Sequence, residues 1–182
     1  MARTIVSNLA SIDGFFEGPN HEIDRHVVDE EFFAYAKGLL RETGAILFGR
    51  KTYEHMAAYW PTAASDRIAD AMNTLPKVVF SRSLASLDWQ NSRLVTTEAA
   101  EEVRRLRRGP GKDLVILGSS DLVSYLLARG LIDEYRMIVN PIILGRGKPQ
   151  LSGIPRRINA KLTSSGTLKT GVVILSYAFR RD

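Results

Sequence analysis

The 182-residue sequence contains no cysteine, which removes disulfides, thiolate metal sites and a sulfur nucleophile together. It has no apolar run near the roughly 20 residues that a bilayer-spanning helix needs. The start, Met1-Ala2-Arg3-Thr4, passes straight into a strand-like pattern, without a signal peptide's apolar core and cleavage site. No repeat, low-complexity tract or linker interrupts the chain. These absences predict a cytoplasmic protein with no membrane partner, folded as a single domain over residues 1–182.

Hydrophobic residues make up 45% of the chain, enough for one sizeable core. The net charge of +5, from 25 basic and 20 acidic residues, permits nucleic-acid binding without requiring it. The densest basic cluster, Arg104, Arg105, Arg107 and Arg108, closes a segment with Thr97 as a possible N-cap and Glu98, Glu101 and Glu102 behind it. Acid first and base last is how a helix complements its own dipole, and Gly109-Pro110-Gly111 then stops it. The cluster therefore reads as a solvated helix end, and no nucleic-acid partner is expected.

The most informative stretch is Ala45-Ile46-Leu47-Phe48-Gly49-Arg50-Lys51-Thr52-Tyr53-Glu54. A short apolar run bounded by Gly44 and Gly49 predicts a strand buried on both faces. Helical spacing follows at Tyr53, Met56 and Ala57, so a helix opens with Arg50 and Lys51 in its first turn. Cations there oppose the helix dipole unless an anion sits among them and the exposed N–H groups. A phosphate site and an ordinary strand–turn–helix with solvated cations are both consistent with this stretch. The near-match to the G-x-x-x-x-G-K-[ST] phosphate loop is rejected, because Ala, Ile, Leu and Phe occupy the positions that would wrap phosphate and the lysine is displaced by one.

Around this stretch the pattern alternates. A strand over Thr4–Ser11 leads into a polar loop, Asp13 to Arg25, whose His21, Glu22, Asp24 and His26 show no metal-ligand spacing, so no metal is expected. A helix from Asp29 carries Phe32, Phe33, Ala36, Leu39 and Leu40; a weaker one spans Ser65–Asn73. Strands are expected at Lys77–Phe80, Leu94-Val95 and Asp113–Leu117, and a helix bearing Leu122, Val123, Leu126 and Leu127 ends at Gly130. A strand within Ile132–Pro141 is expected to continue past the proline through Ile142-Ile143-Leu144, and Ala160–Thr167 with Gly171–Phe179 reads as a hairpin. Alternation giving way to consecutive strands predicts an α/β fold with a mostly parallel central sheet and an antiparallel C-terminal edge.

Open α/β sheets bind ligands beyond the carboxyl ends of their strands. Three predicted ends carry matching chemistry: Gly49-Arg50-Lys51-Thr52, Ser81-Arg82-Ser83 and Gly118-Ser119-Ser120. Hydroxyls, cations and unencumbered N–H groups are what phosphates need, and three such ends on one edge suit a dinucleotide. An arginine beside serine favours the 2′-phosphate of NADPH over NADH.

These segments resemble the dihydrofolate reductase superfamily, and most of all the reductase-domain proteins related to the C-terminal domain of the bifunctional riboflavin-biosynthesis deaminase/reductase. The resemblance rests on Ser11-Ile12-Asp13-Gly14-Phe15, Leu47 to Glu54, Lys77 to Leu84, Leu117 to Leu122, Gly130 to Tyr135, Pro141 and Leu144-Gly145-Arg146-Gly147, in family order. It implies a three-layer dihydrofolate-reductase-like fold, a homodimer, and an NADPH-dependent oxidoreductase. The enzyme would resemble either 5-amino-6-(5-phosphoribosylamino)uracil reductase or dihydrofolate reductase, acting on a small pterin- or aminouracil-like heterocycle. It further implies that Gly49, Arg50, Lys51 and Thr52 meet the cofactor phosphates and Ser81, Arg82 and Ser83 the adenosine 2′-phosphate. Gly118, Ser119, Ser120 and Leu122 would cradle the pyrophosphate and nicotinamide half.

The Asp13–Asn20 loop would border the substrate. Asn8, Phe15, Tyr59 and Trp60 are the substrate-side candidates, and Asp13 the catalytic one. Asp13 equally suits a turn residue, and Tyr59 and Trp60 equally suit the core. Phe33 falls where dihydrofolate reductases place a pterin-binding carboxylate, which counts against folate, and deamination is excluded for a chain without the zinc-binding domain. The alternative is a non-catalytic nucleotide- or ligand-binding protein on the same fold.

Overall fold

The computed structural model describes residues 1–23, 27–63, 68–109 and 111–179. Its strands are β1 (Thr4–Ala10), β2 (Phe15–Glu17), β3 (Thr43–Gly49), β4 (Lys77–Phe80), β5 (Ser92–Val95), β6 (Asp113–Leu117), β7 (Glu134–Val139), β8 (Lys148–Pro149), β9 (Ala160–Thr167) and β10 (Val173–Phe179). Its helices are α1 (Glu30–Arg41), α2 (Arg50–Tyr59), α3 (Ala69–Thr74), α4 (Ala99–Arg108) and α5 (Ser120–Leu127), with a 3₁₀ turn at Trp60–Thr62. None of the described helices is long and apolar enough to cross a membrane.

Eight strands form the central sheet in the order β5-β4-β3-β6-β1-β7-β10-β9. The first six run parallel, while β10 pairs antiparallel with both β7 and β9. Side chains alternate between the two faces of a strand, and β3 divides its residues accordingly. Ala45 and Leu47 join a core with Val103 of α4 and Leu126 of α5. Ile46 and Phe48 join a second core with Leu40 of α1, Tyr53 of α2 and Met72 of α3. The result is helix layers on both faces of a mostly parallel sheet. Asp29 caps α1 by accepting a hydrogen bond from the Phe32 N–H (2.8 Å).

The loop expected after β1 contains a short strand, β2, which pairs antiparallel with β8. Gly147 allows this contact: at φ +148°, a Cβ there would lie 2.1 Å from the Glu17 carbonyl oxygen. The expected continuation of a strand through Ile142–Leu144 does not form. The Ile142 N–H turns back to the Asn140 carbonyl (2.7 Å), and Ile143 is 69% exposed. Helix α4 starts after Glu98, not Thr97. The expected Ser65–Asn73 helix is α3 where described; residues 64–67 lie outside the described residues, as do Asp24, His26 and Pro110. Among the described residues, no three His, Asp or Glu side chains group as a metal site.

The arginine cluster is corrected in one member. Arg105 is an exposed partner of Glu102 (2.7 Å), whose other partner is Arg93, and these bonds hold the Glu102 pKa down at about 2. Arg107, by contrast, is 5% exposed. Its guanidinium donates to the Leu131 carbonyl (3.1 Å) and to Asp133 (2.9 Å). Asp133 also accepts from the Thr4 N–H, so Arg107 pins α4 to the start of β1. A buried partner at that helical position was not visible in a run of arginines.

Among the described residues Lys77 is the other buried cation, 1% exposed at the start of β4. Its ammonium donates to the carbonyls of Met72 (2.9 Å), Asn73 (3.2 Å) and Leu75 (2.9 Å) at the C-terminal end of α3, and lies 4.4 Å from the Trp89 ring centroid. Desolvation depresses its pKa from 10.5 to about 8. Between these values the unfolded chain binds more protons than the folded one, so this group adds stability as pH rises through that window and is penalised below it. Lys77→Met is expected to cost about 2 kcal/mol, since the Met72 and Leu75 carbonyls lose the ammonium that donates to them and that of Asn73 keeps only Asn91. Denaturant melts should show that cost growing from pH 7.5 to pH 9.5; a pH-independent cost refutes the account.

Candidate active site: a cleft across adjacent strand ends

The carboxyl ends of β4, β3 and β6 lie side by side, because these strands are consecutive in the sheet and parallel. A cleft of about 1100 Å³ runs along that edge and continues over β1 beneath α1. All the residues assigned to a cofactor from the sequence line it: Gly49, Arg50, Lys51 and Thr52; Ser81, Arg82 and Ser83; Gly118, Ser119, Ser120 and Leu122.

The junctions hold one another in place. The Gly49 N–H donates to Ser119 Oγ (2.9 Å), and the Ser119 N–H donates to Thr52 Oγ1 (3.0 Å). Ser119 takes a left-handed conformation (φ 55°, ψ 50°), unusual for a residue other than glycine and here fixed by both bonds. The neighbouring Gly118 N–H donates to Asn8 Oδ1 (2.8 Å). Gly118 has φ +70°, and a Cβ on it would lie 2.9 Å from Thr52 Cγ2 and 3.2 Å from Phe16 Cζ. Helix α2 starts at Gly49 without a side-chain cap, so its first N–H groups face the cleft edge, as a phosphate requires. Ser120 Oγ is buried with no hydrogen-bond partner.

The cations fit an anionic ligand on one condition. Arg50 pairs with Glu54 (3.3 Å) and Arg82 with Glu98 (3.5 Å), both at partly exposed distances that a ligand phosphate displaces at little cost. Asp121, in the first turn of α5, is neutralised by Lys148 of β8 (2.7 Å), so this carboxylate does not repel an anion at the neighbouring N-terminus. Ser81 Oγ already accepts from the Ser83 and Leu84 N–H groups (3.1 Å each), so its proton goes to Ser83 Oγ (3.4 Å) or to a ligand. The residues present therefore fit a dinucleotide phosphate chain.

On the substrate side, Tyr59 and Trp60 line the cleft, whereas Asn8, Asp13 and Phe15 do not. Asn8 is fully buried on the opposite face of β1; its Nδ2 donates to Gln150 Oε1 (3.3 Å), which also accepts from the Tyr135 hydroxyl (2.6 Å). It supports Gly118 from behind. The Asp13 carboxylate accepts from the Leu144 (3.1 Å) and Gly145 (2.7 Å) N–H groups. A Ser11 hydrogen bond, with these two, lowers its pKa, and it clamps one loop to another. Phe16 lines the cleft in place of Phe15. Ser7, Tyr35 and Met56 also line it. Tyr35 was legible as one turn beyond Phe32 on the same helix stripe; Ser7 required knowing which face of β1 looks outward.

The family model described as RibD C-terminal domain matches residues 3–174. The uncharacterized protein YyaP of Bacillus subtilis (strain 168) is 32% identical over 180 residues, covering 96% of this chain and 94% of the relative. A putative riboflavin biosynthesis protein from Shewanella sp. PV-4 superposes with a TM-score of 0.78 at 20% identity, covering all of both chains. The diaminohydroxyphosphoribosylaminopyrimidine deaminase/5-amino-6-(5-phosphoribosylamino)uracil reductase of Thermotoga maritima superposes with a TM-score of 0.69 at 13% identity; 98% of this chain matches 57% of that one. The likeness to these structures confirms the dihydrofolate-reductase-like fold.

Gly118→Ala tests the interlock. A methyl group at φ +70° and against Thr52 is expected to destabilise the protein by about 2 kcal/mol. Thermal melts of Gly118→Ala and of the exposed control Gly166→Ala should separate the strained position from the ordinary one. Equal melting temperatures would show that the junction does not need glycine.

Proposed function

We propose, on the premise that the chain belongs to the RibD C-terminal domain family, that it is an NADPH-dependent reductase of a small pterin- or aminouracil-like heterocycle. The observation that carries this reading is the convergence of three adjacent, mutually bonded strand ends on one cleft, with an aromatic and aliphatic compartment at its far end. In this reading Gly49 and Thr52 offer the α2 N-terminus to phosphate, and Arg50 neutralises it. Arg82, beside Ser81 and Ser83, meets the 2′-phosphate in exchange for Glu98. Gly118 and Ser119 let the chain approach the pyrophosphate closely, with Asn8 fixing their height. Bound NADPH supplies a hydride, and the chain's own task is to align the acceptor ring and exclude water. Phe16, Trp60 and the apolar face of α1 perform that task by walling the compartment. The same reading takes the protein as cytoplasmic, a single domain, and a homodimer through the edge strand β9, every residue of which is exposed.

Trp60 lines the cleft and reports on it. Titration of purified protein with NADPH and NADH, followed by tryptophan fluorescence, is expected to show saturable NADPH binding that Arg50→Ala weakens about tenfold. Arg82→Ala should abolish the preference over NADH. Absence of saturable binding by either nucleotide would overturn the reductase reading.

A further inference from the structure

The compartment under α1 ends in a polar group for which phosphate binding has no use. Its walls are apolar: Leu9 and Ile138 from neighbouring strands β1 and β7, with Phe32 and Leu39 above them. Set into them are Ser7 and Tyr35, whose hydroxyl oxygens lie 2.9 Å apart. Ser7 is only 5% exposed yet lines the cleft.

Behind the pair stands Arg136, the register partner of Ser7 on β7. Its Nε donates to Glu134 (2.6 Å), and its positive charge acts on the Tyr35 phenol. Burial pushes the phenol pKa up, so Tyr35 keeps its proton.

The donor inventory fixes the number of protons. The two hydroxyls bring two protons and share one hydrogen bond, in which either can be the donor. One proton is therefore left over, and since Ser7 and Tyr35 both line the cleft it is a donor available there in apolar surroundings. Such a donor is costly until an acceptor meets it.

We propose that Ser7, backed by Tyr35 and Arg136, is the subsite that receives a carbonyl oxygen of the substrate ring. This deepens the reductase reading and rests on it for the word substrate. It makes the acceptor a planar ring entering with a carbonyl edge directed at β1, and it places specificity on three residues that do not touch the cofactor ends. Ser7 touches the ligand; Tyr35 and Arg136 are positioning residues.

The test uses two probes that differ by one acceptor, 4-fluoroacetophenone and 1-ethyl-4-fluorobenzene, titrated by ¹⁹F NMR into NADP⁺-treated protein. Wild type is expected to bind the ketone about fivefold more tightly than the hydrocarbon. Ser7→Ala and Tyr35→Phe should reduce that preference to within about twofold, with NADP⁺ affinity unchanged. Infrared difference spectra should show the bound ketone's carbonyl stretch at lower frequency in wild type than in Ser7→Ala. Arg136→Met should move it part of the way back and Arg136→Lys should restore it, a pattern that a merely structural arginine would not give. Retention of the preference in both hydroxyl variants, or no ketone binding to wild type at millimolar concentration, overturns the subsite. An intact ketone preference without NADP⁺ binding removes the reductase reading and supports the subsite.

Discussion

A serine that bonds in both directions governs the architecture of the cleft. Ser119 accepts the Gly49 proton on its side chain and gives its own backbone proton to Thr52, so the ends of β3 and β6 fix each other's height and rotation. Each bond contributes about 1 kcal/mol net, too little to hold a sheet together. Their value is geometric. They aim the starts of α2 and α5 at a common line, and Asn8 extends the lock to a third strand through Gly118. Phosphate recognition by backbone N–H groups depends on such alignment, since a misdirected N–H loses its bond steeply with angle.

The supports of the cleft are polar and buried, which is expensive unless every member is paired. Asn8, Gln150 and Tyr135 share their donors and acceptors on one face of the sheet. On the other, Asn73 accepts from the Trp89 indole (2.6 Å) and donates to the Trp60 carbonyl (3.0 Å), while Lys77 closes the end of α3. Trp60 is thereby tied to the β4 side of the core, although it belongs to the cleft wall.

The sequence made most of the fold legible because its signals were local. Glycine-bounded apolar runs located β3 and β6, the acidic start at Asp29 located α1 to within a residue, and hydroxyl–cation strand ends located one side of the cleft. What escaped depended on tertiary partners. Arg107 looks like its neighbours until Asp133 is beside it; β2 exists only because β8 lies across from it. On the substrate side, strand parity decided the matter. Phe15 and Phe16 are equally aromatic, and Asn8 is more suggestive than Ser7, yet alternation sends only Phe16 and Ser7 to the cleft.

The strand order also imposes a timetable. Strand β6 lies between β1 and β3, so both earlier strands have an unpaired edge until residues 113–117 arrive. Asn8 meets Gly118 across 110 positions and Gly49 meets Ser119 across 70. At about 5–20 residues per second, synthesis keeps β3 waiting several seconds for its inner neighbour. Such long-range closure slows folding, and open edges invite pairing with other chains. The ligand cleft therefore cannot form before β6 is made, and a nascent chain must reach that strand before its strand ends can converge.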